Sequence, residues 1–196
     1  MKRPCVIASV VEGHGDALAV PILIRRIAAE IYDLYDVQIK PPHRVPRATM
    51  KGEQLRKAIQ LQGDRVADTG GVIVITDADD DCPVDLAGQV ISCAQHVHVE
   101  VAIAVREFEA WFLSAVESLR PHRAVRDDGS YQGDPEAPRD AKGHLQHLMT
   151  EPYRETRHQP AFASLMDLAS ARRARSFDRL VTCVGRLLHA VGRSSV

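Results

Sequence analysis

No two of the four cysteines, Cys5, Cys82, Cys93 and Cys183, stand in a CxxC pair. A disulfide framework is therefore not expected, and the thiols read as the reduced cysteines of a cytoplasmic protein. No apolar run approaches the roughly 20 residues of a membrane span, and the opening "MKRPCVIASVVEGHGD" is broken by Glu12 too early to serve as a signal peptide. Neither sign of charge predominates: Lys+Arg number 25 against Asp+Glu 26, a net charge of -1. Nothing global draws the chain to nucleic acid or to an anionic membrane, so a polyanionic partner must be met by a local patch. A GxGxxG fingerprint is missing, because Leu18 occupies the place of the third glycine in "EGHGDAL", and there is no GxxxxGK[ST] loop. A dinucleotide fold is disfavoured, and ATPase chemistry would have to come from a partner. Internal repeats and low-complexity segments are absent as well.

The chain of 196 residues, with 45% hydrophobic and 26% charged residues, has the composition of a folded globular protein. "CVIASVV", Cys5 to Val11, is a β-branched apolar run ended by Glu12-Gly13, the pattern of a strand buried on both faces of a parallel sheet. "AVPILIRRIAAEIY" follows at helical spacing, with Pro21 expected in its first turn. "DVQIKPPHRV" offers a short strand before or after Pro41-Pro42, and "KGEQLRKAIQLQGDRVAD" a second helix. "GGVIVIT", Gly70 to Thr76, is the clearest buried strand; "PVDLAGQVISCAQHV" reads as a helix and "HVEVAIAV" as the next strand. This alternation predicts an α/β fold, a Rossmann-like open sheet of mostly parallel strands with helices on both faces. From about Pro121 the chain turns rich in Gly, Pro and charge, a surface loop that leads to the amphipathic "SFDRLVTCVGRLLHAVG" with Ser176 as its expected N-cap. The expected organisation is a core over residues 1–120, with a loop and C-terminal helical extension over 121–196 packed on it.

In such folds ligands bind at the carboxyl ends of the strands, where this chain puts its acids. Glu12 follows the first strand, and "TDADDD" places four aspartates within five positions after the strand at Gly70. Carboxylates gathered in one concave site repel one another, and a divalent cation bound by hard oxygens is the ordinary way to stabilise them. Asp77 and Asp79, in DxD spacing, and Glu12 suffice to seat one Mg2+ or Mn2+. Asp16, one helical turn past Glu12, permits a second. Asp80, Asp81 and Asp85 read instead as solvated or helix-capping residues. Gly13 and Gly15 would allow tight turning and close approach of the backbone to a ligand. In "REFEAWFL", continued strand would point Glu107 and Glu109 the same way, whereas a helix would send Phe108, Trp111 and Phe112 into the core. Core packing is expected for Trp111 and Phe112.

Glu at the end of the first strand, a second acid four positions on, and an apolar strand ending in DxD resemble the TOPRIM domain of topoisomerases, DnaG-type primases and OLD-family nucleases. The ExxxD form, Glu12 and Asp16, is most similar to the OLD-type nucleases. "VVEGHGD", "ITDADDD" and "REFEAWFL" together resemble a small bacterial family of stand-alone TOPRIM-like proteins found beside ATPases linked to phage defence. The TOPRIM resemblance covers about Cys5 to Phe112. It implies a Mg2+-dependent site acting on phosphodiesters, DNA favoured over RNA, with Glu12, Asp16, Asp77 and Asp79 as ligands, Glu12 also as a general acid/base, and Glu107 as an extra ligand. Lys142, in "RDAKGHL", would correspond to the basic residue that stabilises transition-state charge. No tyrosine stands in the context of a topoisomerase nucleophile, and no primase zinc module is present.

The competing reading is a non-catalytic TOPRIM-like subunit that binds or regulates a partner ATPase. The pairs His96/His98 and His144/His147 invite zinc but have no thiol spacing beside them, and surface or packing roles are expected. Arg172, Arg173, Arg175 and Arg179 are candidates for the local basic patch that a nuclease needs, or for a solvated helix face.

Overall fold

The computed structural model describes residues 4–190. The elements that carry the sheet are β1 (Cys5–Val11), α1 (His14–Tyr32), β2 (Val37–Ile39), β3 (His43–Arg44), α2 (Gly52–Val66), β4 (Gly70–Asp77), α3 (Pro83–Ser92) and β5 (Val99–Ala104). Beyond them come α4 (Glu109–Ser114), α5 (Ala141–His147), α6 (Glu155–Leu165), α7 (Leu168–Ala171) and α8 (Arg175–Ala190). Among the described residues no helix is long and apolar enough to cross a membrane.

The strands run β2-β1-β4-β5, every pair parallel, with β3 continuing the edge beside the end of β1. The Pro41-Pro42 pair explains why the edge comes in two pieces: proline has no N–H for the ladder, and pairing resumes at His43 opposite Val10. Residues of alternate parity go to opposite faces, as strand geometry requires. Val6, Ala8, Val72, Val74, Val101 and Ile103 pack under α2 and α3. Ile7, Ile73, Ile75, Ala102 and Ala104 face α1 and α8 and the helices outside them.

On that second face Phe108, Trp111, Phe112, Phe162 and Phe177 form a continuous aromatic cluster, all at most 1% exposed. The Trp111 ring lies 4.6 Å from Phe108 and 5.7 Å from Phe177, and Phe112 lies 5.7 Å from Phe162. The expected core packing of Trp111 and Phe112 is thus observed. Residues on both sides of position 120 share this cluster, because α8 covers β4 and β5 while α6 lies along α1.

Several local expectations shift. The first helix begins at His14 rather than after Ala17, since the Asp16 carboxylate accepts the Gly13 N–H at 2.8 Å and starts the helix where β1 ends. Pro21 consequently sits inside α1 instead of in its first turn, and the buried contacts of Ala19, Val20, Leu23, Ile24 and Ile27 hold the helix despite the missing bond. Ser176 is not an N-cap: α8 already starts at Arg175. Its Oγ accepts the Trp111 indole N–H at 2.7 Å, and its own N–H donates to Glu136 Oε1 at 2.8 Å. The loop after Pro121 is anchored rather than free. Glu117 accepts from Ser130 Oγ and Tyr131 N, and the Arg173 guanidinium donates to the Tyr131 and Gly133 carbonyls.

The Trp111–Ser176 bond joins the helix after β5 to the final helix inside an otherwise apolar cluster. Trp111→Ala should cost about 3–5 kcal/mol of unfolding free energy, and Ser176→Ala about 1–3 kcal/mol by stranding the buried indole N–H. Urea denaturation checks both, and a Ser176→Ala protein as stable as its parent would contradict this role.

Candidate functional site

The parallel register brings the acids together. Val11 pairs with Ile75, so Glu12, one residue on, stands beside Thr76, whose hydroxyl donates to Glu12 Oε2 at 2.5 Å. Asp77 is the last residue of β4, opposite Ala104 of β5. Asp16 projects from the first turn of α1 and Glu109 from the first turn of α4, both buried. Beyond β4 and β5 the two loops are tied crosswise: Asp79 N donates to the Arg106 carbonyl at 2.9 Å, and Arg106 Nη1 donates to the Asp79 carbonyl at 3.1 Å. Both residues hold left-handed backbone, φ 50° and 67°. Such strain in non-glycine residues persists only where the surroundings over-determine it.

Electrostatically the centre of the group is Asp77. Burial, then the negative charges of Asp16, Glu109, Glu12 and Asp79, push its carboxyl well above the usual range. Asp16 is raised by burial and by the charges of Glu12 and Glu155, against the opposing Gly13 hydrogen bond. Glu109 is raised by burial, although hydrogen bonds from Gln159 and Tyr153 and the charge of Lys142 work the other way. Gln159 Nε2 donates to Glu109 Oε1 at 3.2 Å.

A ring of cations stands outside these acids. The Arg47 guanidinium donates to the Asp77 carbonyl at 2.7 Å and to the Ala78 carbonyl at 3.2 Å, and pairs with Asp79 at 3.1 Å and Asp81 at 2.7 Å. Asp80 is held by Arg106 at 2.8 Å and Arg139 at 3.0 Å. Lys142 pairs through its ammonium with Glu155 and through its N–H with Glu107 Oε2 at 2.8 Å. Burial works against the Lys142 charge, yet Glu155, Glu109 and Glu107 outweigh it and raise its pKa. A cleft of about 370 Å³ opens between the aspartate loop and Glu136-Ala137. The larger cavity, about 580 Å³, lies near Gly70 and His98 at the opposite end of the strands and is not part of this group.

Of the residues expected from the sequence, Glu12, Asp16, Asp77 and Asp79 converge. Glu107 is turned toward the Lys142 backbone, and Lys142 stands on the rim. Glu109 is the acid after β5 whose charge bears on Asp77; it was legible as the partner of Glu107 in "REFEAWFL", but the turn at Arg106 decides between them. Arg47 and Glu155 had no signal in the sequence, since what places them is tertiary packing. Gly15 serves a helix rather than a ligand: an added Cβ would lie 2.2 Å from Gln159 Oε1 and 2.9 Å from Glu155 Cβ, so glycine lets α6 close onto α1 and brings Glu155 to Asp16. Arg172 pairs with Asp178 at 2.5 Å, and Arg173 is spent on backbone carbonyls. That leaves little of the arginine run for a basic patch.

The donor chemistry suits a hard divalent cation, because the converging groups are carboxylates whose charges oppose one another. Among the described residues, however, no three His, Cys, Asp or Glu side chains are arranged to hold one ion together. The reason lies in their present partners. Thr76 holds Glu12, Gly13 holds Asp16 and Arg47 holds Asp79. Ligation by these residues therefore requires an exchange of partners.

The chain belongs to the family described as Domain of unknown function (DUF4276), which matches residues 11–184 and so includes every residue of this site. No curated protein matches the chain. Among solved structures it is similar to the C-terminal region of the Xanthomonas campestris pv. campestris OLD protein, phased with iodine. That likeness is 13% identity over 93% of this chain and 97% of that chain, with a TM-score of 0.41. Similarity of this degree carries no argument about function.

The raised acids fix the sign of a pH dependence. Asp16, Asp77 and Glu109 keep protons in the folded chain at pH values where the unfolded chain has lost them. Their contribution to stability is thus fully present below the ordinary carboxyl range of about 4 and is lost as pH rises through their raised values. In chelator-treated protein, Asp77→Asn should melt a few degrees above the parent at pH 8, with the gap closing toward pH 5. Thermal scans across that range test it, and a lower melting point for the variant at pH 8 would refute the repulsion.

Proposed function

We propose that this member of the DUF4276 family is a TOPRIM-like, Mg2+- or Mn2+-dependent nuclease or nuclease subunit acting on nucleic-acid phosphodiesters, DNA in preference to RNA. One observation carries the reading. Glu12, Asp16 and Asp77 crowd together at adjoining strand ends, and among the described residues none of their carboxylates is paired with a lysine or arginine side chain. Such a charge arrangement is costly unless a cation relieves it.

On this reading Glu12, Asp77 and Asp79 hold the cation, with Asp16 and Glu107 as further ligands. When bound, it would supply an acidified water and counter-charge for the phosphoryl oxygens. Thr76 fixes one oxygen of Glu12, which leaves the other free to take a proton from the attacking water. The Lys142 ammonium is the nearby side chain able to meet a phosphate oxygen as negative charge develops. Arg106 and Arg139, already gathered at Asp80, border the cleft through which the backbone would run. The protein would act in the cytoplasm, beside a partner ATPase in phage defence.

The arrangement of side chains also favours a second reading, a non-catalytic subunit that regulates such an ATPase. Every candidate ligand but Asp77 already has a hydrogen-bond partner, and no three are set to hold an ion. Nicking of supercoiled plasmid with Mg2+ or Mn2+ separates the two. The nuclease reading expects metal-dependent nicking that falls on the order of 10²-fold or more in Asp77→Ala and Glu12→Ala. Nicking retained in both variants would sink it, and absence of both nicking and metal-induced thermal stabilisation in the parent would favour the regulatory subunit.

A further inference from the structure

The acids of the site fall into two groups that differ in what faces them. Glu12 and Asp77 meet no side-chain cation, and Asp79 shares Arg47 with Asp81 and two backbone carbonyls. Asp16, Glu109 and Glu155 form the other group, around a lysine. Glu155 stands beside Asp16 because Gly15 lets the start of α6 close onto the start of α1. The Lys142 ammonium pairs with Glu155, and its charge bears on Glu109 and Glu107.

Lys142 is not there by chance of a flexible side chain. Its N–H is held by Glu107 Oε2 at 2.8 Å, and the turn that carries it is fixed where Asp140 Oδ1 accepts the Gly143 N–H at 2.7 Å. On the far side of this group two buried polar atoms, Gln159 Oε1 and the Tyr153 hydroxyl, have no hydrogen-bond partner. They border Glu109, so the pocket is polar throughout and its positive charge comes from Lys142.

We propose that Lys142 is a built-in counter-cation for the Asp16, Glu109 and Glu155 group, so that this site takes one divalent cation, at Glu12, Asp77 and Asp79, and not two. The inference rests on the metal-dependent reading above. A dication placed among Asp16, Glu109 and Glu155 would have to displace or face an ammonium already paired there, and like charges at such range disfavour one another strongly. The group with no ammonium keeps the uncompensated charge, and it alone attracts a dication. A phosphate oxygen would then be met on one side by the metal and on the other by Lys142, which is the chemistry of a one-metal phosphodiesterase with a lysine in the second cation's place.

Calorimetric titration of Mn2+ into the full chain at pH 7.5 counts the ions without any substrate. The parent should bind one per chain. Lys142→Met and Lys142→Gln, which uncover the acids, should each bind two, while Lys142→Arg, which restores the charge, should stay at one. Two ions in the parent, or one in both neutral variants with circular dichroism unchanged, would overturn the counter-cation. No ion in the parent would overturn it together with the metal-dependent reading, whereas a count of two would leave that reading standing. If the neutral variants fail to fold, the parent's count and that of Lys142→Arg still decide, since two ions in either contradicts the proposal.

Discussion

Like charge brought together at the ends of parallel strands is the constraint on which the rest of this structure depends. The ladder between β1 and β4 is fixed by apolar alternation, since a slip of one residue would turn both strands' buried side chains to the wrong faces. That register sets Glu12 beside Thr76 and next to Asp77. The hydrophobic core therefore dictates the crowding of carboxylates, and the strands provide no cation to offset it. Burial of Asp16 and Glu109 adds to the cost, because desolvation disfavours their charged forms.

The elements outside the sheet answer this charge in a graded way. Arg47, from the turn after β3, grips the aspartate loop through two carbonyls and two carboxylates. Arg106 and Arg139 tie down Asp80, and Lys142 faces the acids of α1, α4 and α6. The loop between Pro121 and Asp140, with its anchors on Glu117, Arg173 and Ser176, brings two of these cations to the rim. Nothing of this kind reaches Glu12 and Asp77. The aromatic cluster of Phe108, Trp111, Phe112, Phe162 and Phe177 holds α4, α6 and α8 in the positions from which Glu109 and Glu155 project.

Much of this was legible in the sequence, for physical reasons that differ along the chain. Strands buried on both faces are continuous β-branched runs, so β1, β4 and β5 declare themselves, and acids just beyond them must lie at one edge of a parallel sheet. That is why Glu12, Asp16, Asp77 and Asp79 were legible as a group. Pro21 and Ser176 were misplaced because helix starts are set by particular hydrogen bonds, the Asp16 bond to Gly13 and the indole bond to Ser176, which periodicity does not encode. After β5 the left-handed turn at Arg106 breaks the alternation, and Glu109 rather than Glu107 comes to act on Asp77. Arg47 and Glu155 lie 30 residues before Asp77 and far beyond it in the chain. Only the packing of α6 on α1, permitted by Gly15, and the turn after β3 bring them in.

The central claim is that acids holding protons for want of a cation form the seat of that cation. Titrating Mg2+ into the chelator-treated protein at pH 7, in two buffers of different ionisation enthalpy, measures protons released on binding. The account predicts saturable binding with net proton release that shrinks in Asp77→Asn. Absence of binding, or binding without proton release and indifferent to that substitution, would contradict it.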